Sequence, residues 1–241
     1  MQLFLLHFAG GNCYSYDFLR NDLKSKIDFY ALELPGRGKR YKENLLLSKE
    51  DAIMDYVKQI KNLRNKTPYI IFGHSMGAIL GFSVANHMEK EGDPPVSLVV
   101  SGHSGPRIKE KDQEEDNTKK KKYHLMNDRD FKERLRKMGG MPDEILENSE
   151  LYNFFAPVLR ADFAILEKGK SPENKVKIDS SIYAIMGDQE KNVENIENWK
   201  EFTKSGFRSQ ILKGNHFFIN NHSKKIANII TNCFEQVLTN Q

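Results

Sequence analysis

Cysteine is scarce in this sequence: Cys13 and Cys233 are the only two in 241 residues. Two thiols build no disulfide framework, so a reducing, cytoplasmic setting is expected. Long apolar runs are missing as well. No stretch approaches the roughly 20 residues a membrane span needs, which excludes a transmembrane helix. The opening MQLFLLHFAGG has no basic region ahead of its apolar residues, so a signal peptide is not expected. Charge of one sign is also lacking. The 37 basic and 33 acidic residues leave a formal net charge of +4, too small and too interspersed an excess to argue for nucleic acid. No internal repeat is visible. What remains is a chain with 39% hydrophobic and 29% charged residues, long enough for one large α/β domain with a buried core and short for two.

Strand-like and helix-like segments alternate along it. Residues 2–8 are apolar and run into Gly10-Gly11, residues 28–34 run into Pro35-Gly36, and PYIIFGH (68–74) is a continuous apolar run of the kind found in buried parallel strands. Further strands are expected at 97–102, 181–187 and 207–213. Apolar residues at Ile53, Val57 and Ile60, with Met54 and Leu63 beside them, have helix spacing. Helices are also expected over 76–90 and 223–238, the latter with Ile226, Ile229, Ile230, Cys233 and Val237 inward. This alternation implies a mostly parallel central sheet with helices on both faces. Between about 105 and 169 the rhythm breaks into helix-like pieces, expected to form a lid over the site. Within that stretch KEKDQEEDNTKKKK (109–122) carries an acidic block and then Lys119 to Lys122. It is expected to be a solvated loop, or a docking patch for an acidic partner.

The chemistry starts at Gly73-His74-Ser75-Met76-Gly77. This is G-x-S-x-G between an apolar strand and a helix, the context that lifts a serine hydroxyl above the sheet. A serine needs a base. In the α/β-hydrolase arrangement the order is serine, acid, histidine, and His216, just after the last strand, meets it. His222 begins the final helix and is expected to face solvent. His74 is fixed in the turn and directed away from the serine, and His7 is expected to be a packed residue near the site. His87, His103 and His124 precede the acid and are read as structural. The acid is expected after the 181–187 strand, where Asp188 and Glu190 are both available. Two backbone donors must hold the oxyanion: Met76, which follows the serine, and Ala9 in the HFAGG loop, whose glycines allow close approach.

These residues resemble a known family, the type II (external, editing) thioesterases that accompany nonribosomal peptide and polyketide synthases. HFAGG, LELPGRGKR (32–40), FGHSMGA (72–78), LRKMGGMPDEIL (135–146), PVLRADFAIL (157–166) and GNHFFI (214–219) carry the likeness over nearly the whole chain. The resemblance implies an α/β-hydrolase fold and hydrolysis of acyl or aminoacyl groups from the phosphopantetheine arm of an acyl or peptidyl carrier protein. It implies Ser75 as nucleophile and His216 as base. It places the family's aspartate on Glu190, here a longer side chain, with Asp188 the alternative. No metal or redox cofactor is expected, and the chain is expected to act as a monomer. The sequence departs from the family in its abrupt start and in the lysines at 119–122. A carboxylester hydrolase or an acyltransferase would use the same triad, and a non-catalytic carrier-binding module is the reading from another class.

Overall fold

The computed structural model describes residues 1–106, 122–168 and 176–239. Among them six strands form one sheet: β1 Gln2–Leu6, β2 Asp28–Leu32, β3 Tyr69–His74, β4 Ser97–Ser101, β5 Ser181–Gly187 and β6 Phe207–Leu212. Their order is β2-β1-β3-β4-β5-β6, and every neighbouring pair is parallel. Four of the expected strands end one or two residues earlier than their apolar runs suggest. The chain leaves the sheet there to build the loops at the strands' C-terminal ends.

Side-chain alternation along the strands sorts the apolar residues into two layers. Phe4, Leu6 and Ile71 face one way and are covered by α2 (Lys49–Leu63) and α3 (Met76–Lys90). Leu3, Leu5 and Phe72 face the other and are covered by α7 (Ser223–Thr239) through Ile226, Ile230 and Phe234, with the short α1 (Asp17–Arg20) beside it. Ile229 and Cys233 of α7 are buried as expected, while the Val237 side chain lies outside the described residues. The central strands β1 and β3 are therefore apolar on both faces, which is why they read as continuous runs.

Helix α2 begins at Ser48, whose hydroxyl accepts from Asp51 N–H, a standard N-terminal cap. Its buried face keeps the expected stripe and adds Tyr56 to it. Ala52, Tyr56, Val57 and Ile60 are buried in the core, half-buried Ile53 packs against it, and Met54 and Leu63 beside the stripe are exposed. Tyr56 was overlooked because tyrosine is not diagnostic of a core face.

Between β4 and β5 lie a 3-10 turn (Tyr123–Leu125), α4 (Asp128–Met138), α5 (Asp143–Glu147) and α6 (Ser149–Lys168). They share a small core of their own, including Phe131, Leu135, Leu146, Leu159 and Phe163. Helix α6 joins this unit to the main body: Leu159 and Phe163 belong to the small core, and Ile165 to the sheet core. A 3-10 segment at Val193–Phe202 was not anticipated. It buries Trp199, whose Nε1–H donates to the His103 carbonyl at 2.7 Å. Among the described residues no helix is long and apolar enough to cross a membrane.

Candidate active site

Ser75 sits between β3 and α3 with φ 54° and ψ −111°. Positive φ is costly for a non-glycine residue and persists only where the surroundings enforce it. Here Ser75 N–H donates to the Ser101 carbonyl at 2.8 Å, and the Ser75 carbonyl accepts from Ala78 N–H at 3.0 Å, the first turn of α3. The two motif glycines make the bend possible. A Cβ on Gly73 would stand 2.1 Å from the Gly77 carbonyl oxygen, and one on Gly77 would stand 2.0 Å from the Leu6 oxygen. Strand and helix touch there with no room for a methyl group.

His216 lies four residues beyond β6. Its Nδ1 is 2.6 Å from Oε2 of Glu190, and Oε1 of Glu190 accepts from Gly187 N–H at 2.9 Å. The carboxylate is thus held at both oxygens and is almost fully buried, with 6% of the side chain exposed. With Nδ1 engaged, Nε2 is left to act as a base. Asp188 is placed differently. It is exposed, and its Oδ1 accepts from Gly214 N–H at 2.8 Å. It ties the β5 loop to the backbone of the histidine loop and does not reach the imidazole through that bond. Of the two candidate acids, Glu190 is the one brought to His216.

The remaining histidines sort by partner. His74 is fully buried, bonded to Ser101 Oγ at 3.0 Å, and its ring centre lies 4.8 Å from that of His216. Burial, reinforced by the neighbouring His216, holds its pKa well below the ordinary value. A Cβ on Gly102 would lie 2.3 Å from the His74 ring, so only glycine leaves the ring its space. His222 is half-buried and not simply solvent-facing, because its Nε2 meets the Lys213 carbonyl at 2.8 Å. His87 pairs with Glu91, His124 with Glu167, and His103 Nδ1 accepts from Gly105 N–H. His7 is fully buried; burial and then the nearby Arg37 lower its pKa to about 4.

Ala9 lies in the loop after β1 and lines the same pocket as Ser75, and Met76 is the first residue of α3. The loop is secured by residues the sequence reading did not single out. Gly10 N–H donates to Asp162 Oδ2 at 2.7 Å. Asp162, from α6, also forms a two-pronged ion pair with Arg37 at 2.6 and 2.7 Å. The side chains are 4% and 0% exposed. Burial opposes the Arg37 charge, but Asp162 outweighs it and the guanidinium pKa is raised. A signal existed: Asp162 lies within the apolar run VLRADFAIL, and a charge on a buried helix face demands a partner.

A cavity of about 40 Å³ opens onto Ser75 and His216. Phe8, Ala9 and Phe217 line it. The inserted helices and their connection contribute Leu135, Met138, Met141, Leu159 and Phe163 to the lining. The insertion therefore adds to the apolar lining of the pocket. Among the described residues no group of His, Cys, Asp and Glu could hold a metal ion. Lys119 to Lys121 lie outside the described residues, and Lys122 is exposed just before the 3-10 turn.

Comparison with known proteins agrees with this architecture. The thioesterase domain family matches residues 1–234. The gramicidin S biosynthesis protein GrsT of Aneurinibacillus migulanus is 30% identical over 222 residues, covering 91% of this chain and 83% of its own length. The crystal structure of ClbQ from the colibactin nonribosomal peptide/polyketide pathway superposes with a TM-score of 0.88 at 26% identity, covering 100% of this chain and 99% of that one. The type II thioesterase BorB from the borrelidin biosynthetic cluster superposes with a TM-score of 0.81 at 26% identity, covering 96% and 91%.

Proposed function

This chain belongs to the thioesterase domain family, and from that premise we propose that it hydrolyses acyl or aminoacyl groups from the phosphopantetheine arm of a carrier protein, through an acyl-serine on Ser75. On this reading it clears misloaded arms of a peptide or polyketide synthase. Similarity to a gramicidin S biosynthesis protein and to a type II thioesterase of a biosynthetic cluster supports the editing role. The observation that carries the chemistry is the 2.6 Å contact of Glu190 with His216, which lines the same pocket as Ser75.

In the proposed cycle the Ser75 hydroxyl attacks the thioester carbonyl while Nε2 of His216 takes its proton. Glu190 holds the imidazole tautomer and stabilises the imidazolium. The N–H groups of Met76 and Ala9 receive the oxyanion. The C–S bond breaks and the pantetheine thiol leaves with the proton from His216. Water, deprotonated by His216, then attacks the acyl-serine, and Ser75 recovers its proton as the acid departs. The cycle calls for no metal or redox cofactor. The buried free thiols of Cys13 and Cys233 are compatible with a cytoplasmic site of action, which belongs to the same proposal, as does action as a monomer.

The test is release of radiolabelled acetate from an acetyl-loaded carrier protein. Ser75→Ala should abolish it, and undiminished release would remove Ser75 from the mechanism. Running a thioester beside its oxoester analogue separates a thioesterase from a carboxylester hydrolase. Addition of an alcohol or amine acceptor reveals an acyltransferase by the new ester or amide it forms.

A further inference from the structure

The carbonyl of Phe8 accepts two hydrogen bonds, one from Gly11 N–H at 2.9 Å and one from Nδ1 of His7 at 2.8 Å. The tautomer follows from the other side of the ring. Leu34 N–H donates to His7 Nε2 at 3.3 Å, so Nε2 presents its lone pair and Nδ1 carries the proton. The ring has no solvent exposure, and Tyr56 stands edge-on to it at 6.0 Å between ring centres. Both ring nitrogens are therefore engaged by backbone, and the imidazole has no freedom to turn.

The Phe8–Ala9 peptide is trans and planar. Its C=O and its N–H point in opposite directions along one rigid plate. Whatever fixes the Phe8 oxygen therefore fixes the aim of the Ala9 N–H. Phe8 and Ala9 both line the pocket that contains Ser75. From this arrangement we infer that His7 is a positioning residue for the hydrolysis: by donating to the Phe8 carbonyl it aims the Ala9 N–H at the oxyanion. The inference rests on the reading of Ser75 as the nucleophile. Donation to the carbonyl also polarises the peptide, which strengthens its N–H as a donor. The next peptide is held by Gly10 N–H donating to Asp162, so consecutive plates of the loop are pinned to different elements.

Two conservative variants separate this role from simple packing. In His7→Asn the side-chain amide nitrogen stands near the place of Nδ1 and keeps the donor to Phe8. In His7→Gln the longer side chain reaches the place of Nε2 and keeps a partner for Leu34 instead. His7→Asn should retain kcat to within about threefold, whereas His7→Gln should lose about 10- to 100-fold in kcat with KM nearly unchanged, a part of the loss that follows removal of a whole oxyanion donor. Affinity for a trifluoromethyl ketone, which forms an oxyanion on the nucleophile, should fall in parallel with kcat. Affinity for a non-hydrolysable thioether analogue should not. Equal kcat in the two variants, or losses that follow thermal stability instead of the donor, would overturn the inference. A measurement on the unmodified protein stands apart from any folding defect: ¹⁵N spectra should show His7 as the Nδ1–H tautomer, and the Nε2–H form would equally overturn it. Failure of the underlying reading has a separate signature, because turnover would then survive Ser75→Ala.

Discussion

Glu190 meets His216 with Oε2 2.6 Å from Nδ1, while Asp188, two residues earlier, gives its carboxylate to the backbone of Gly214. The extra methylene lets Glu190 fold back from the loop, and its second oxygen is fixed by Gly187 N–H. Glu190→Gln should therefore lower kcat by on the order of 10³- to 10⁴-fold, since loss of the carboxylate leaves the imidazole in the wrong tautomer. Asp188→Asn should leave kcat within about an order of magnitude and cost roughly 1 kcal/mol of stability through the weakened Gly214 bond. Steady-state kinetics on a small thioester decides between them. A crippled Asp188→Asn beside an active Glu190→Gln would reverse the assignment.

The neutral buried His7 makes stability fall in acid. Its folded-state pKa is about 4, against an ordinary value near 6.5. Above pH 6.5 both folded and unfolded chains hold it neutral and the contribution is complete. Between 6.5 and about 4 the unfolded chain takes up a proton that the folded chain resists, so stability is lost progressively, and below 4 the loss levels off. The shift corresponds to roughly 3 kcal/mol. His74 acts in the same direction, so the useful quantity is a difference. Urea titrations at pH 7 and pH 4.5 should show a smaller drop for His7→Asn than for the unmodified protein. An identical drop would mean that His7 protonates freely in the folded state.

The sequence carries the elbow because the requirements there are local. A strand, a helix and two glycines flanking Ser75 fix the bend, and the chain itself supplies the contacts. His216 is legible through the order of elements. Choosing between Asp188 and Glu190 needs the course of two loops in space, and only the resemblance pointed to Glu190. The Arg37–Asp162 pair spans 125 residues, and no periodic pattern links its halves. The segment Val193–Phe202 was missed for a related reason. It winds as a 3-10 helix, whose threefold repeat does not give the 3.6-residue spacing sought. In α2 the expected stripe of Ile53, Val57 and Ile60 packs on the core and Tyr56 joins it, a residue with a polar tip that composition alone does not assign to a core.

Arg37 and Asp162 illustrate how unequal single and paired substitutions are at a buried ion pair. Asp162→Asn leaves the guanidinium without its counter-charge in a site 4% exposed, and should cost about 3–5 kcal/mol in unfolding free energy. Replacing both, as Arg37→Met with Asp162→Leu, should recover most of that stability, since apolar pairs of similar volume often substitute well. Activity should not recover with it, because Gly10 N–H loses its acceptor in the double variant as well. Chemical denaturation and kcat, measured on the same preparations, test the two halves separately. Recovery of both together would show that Asp162 matters only as a counter-charge.

Met138 offers the least disruptive way to alter the acyl pocket. It lines the wall contributed by the inserted helices, is half-buried at the end of α4, and is followed by Gly139 in a left-handed turn. Its unbranched side chain packs adaptably, so truncation should disturb the small core less than loss of a ring such as Phe163. Met138 borders a cavity of about 40 Å³ that also takes in Ser75. Met138→Ala removes the thioether and extends that space, and each additional buried methylene of substrate then contributes about 1 kcal/mol or more. The ratio of kcat/KM for hexanoyl over acetyl thioesters should rise by about tenfold, mainly through KM for the longer chain. An unchanged ratio would mean that the acyl chain leaves Ser75 along another wall, away from α4.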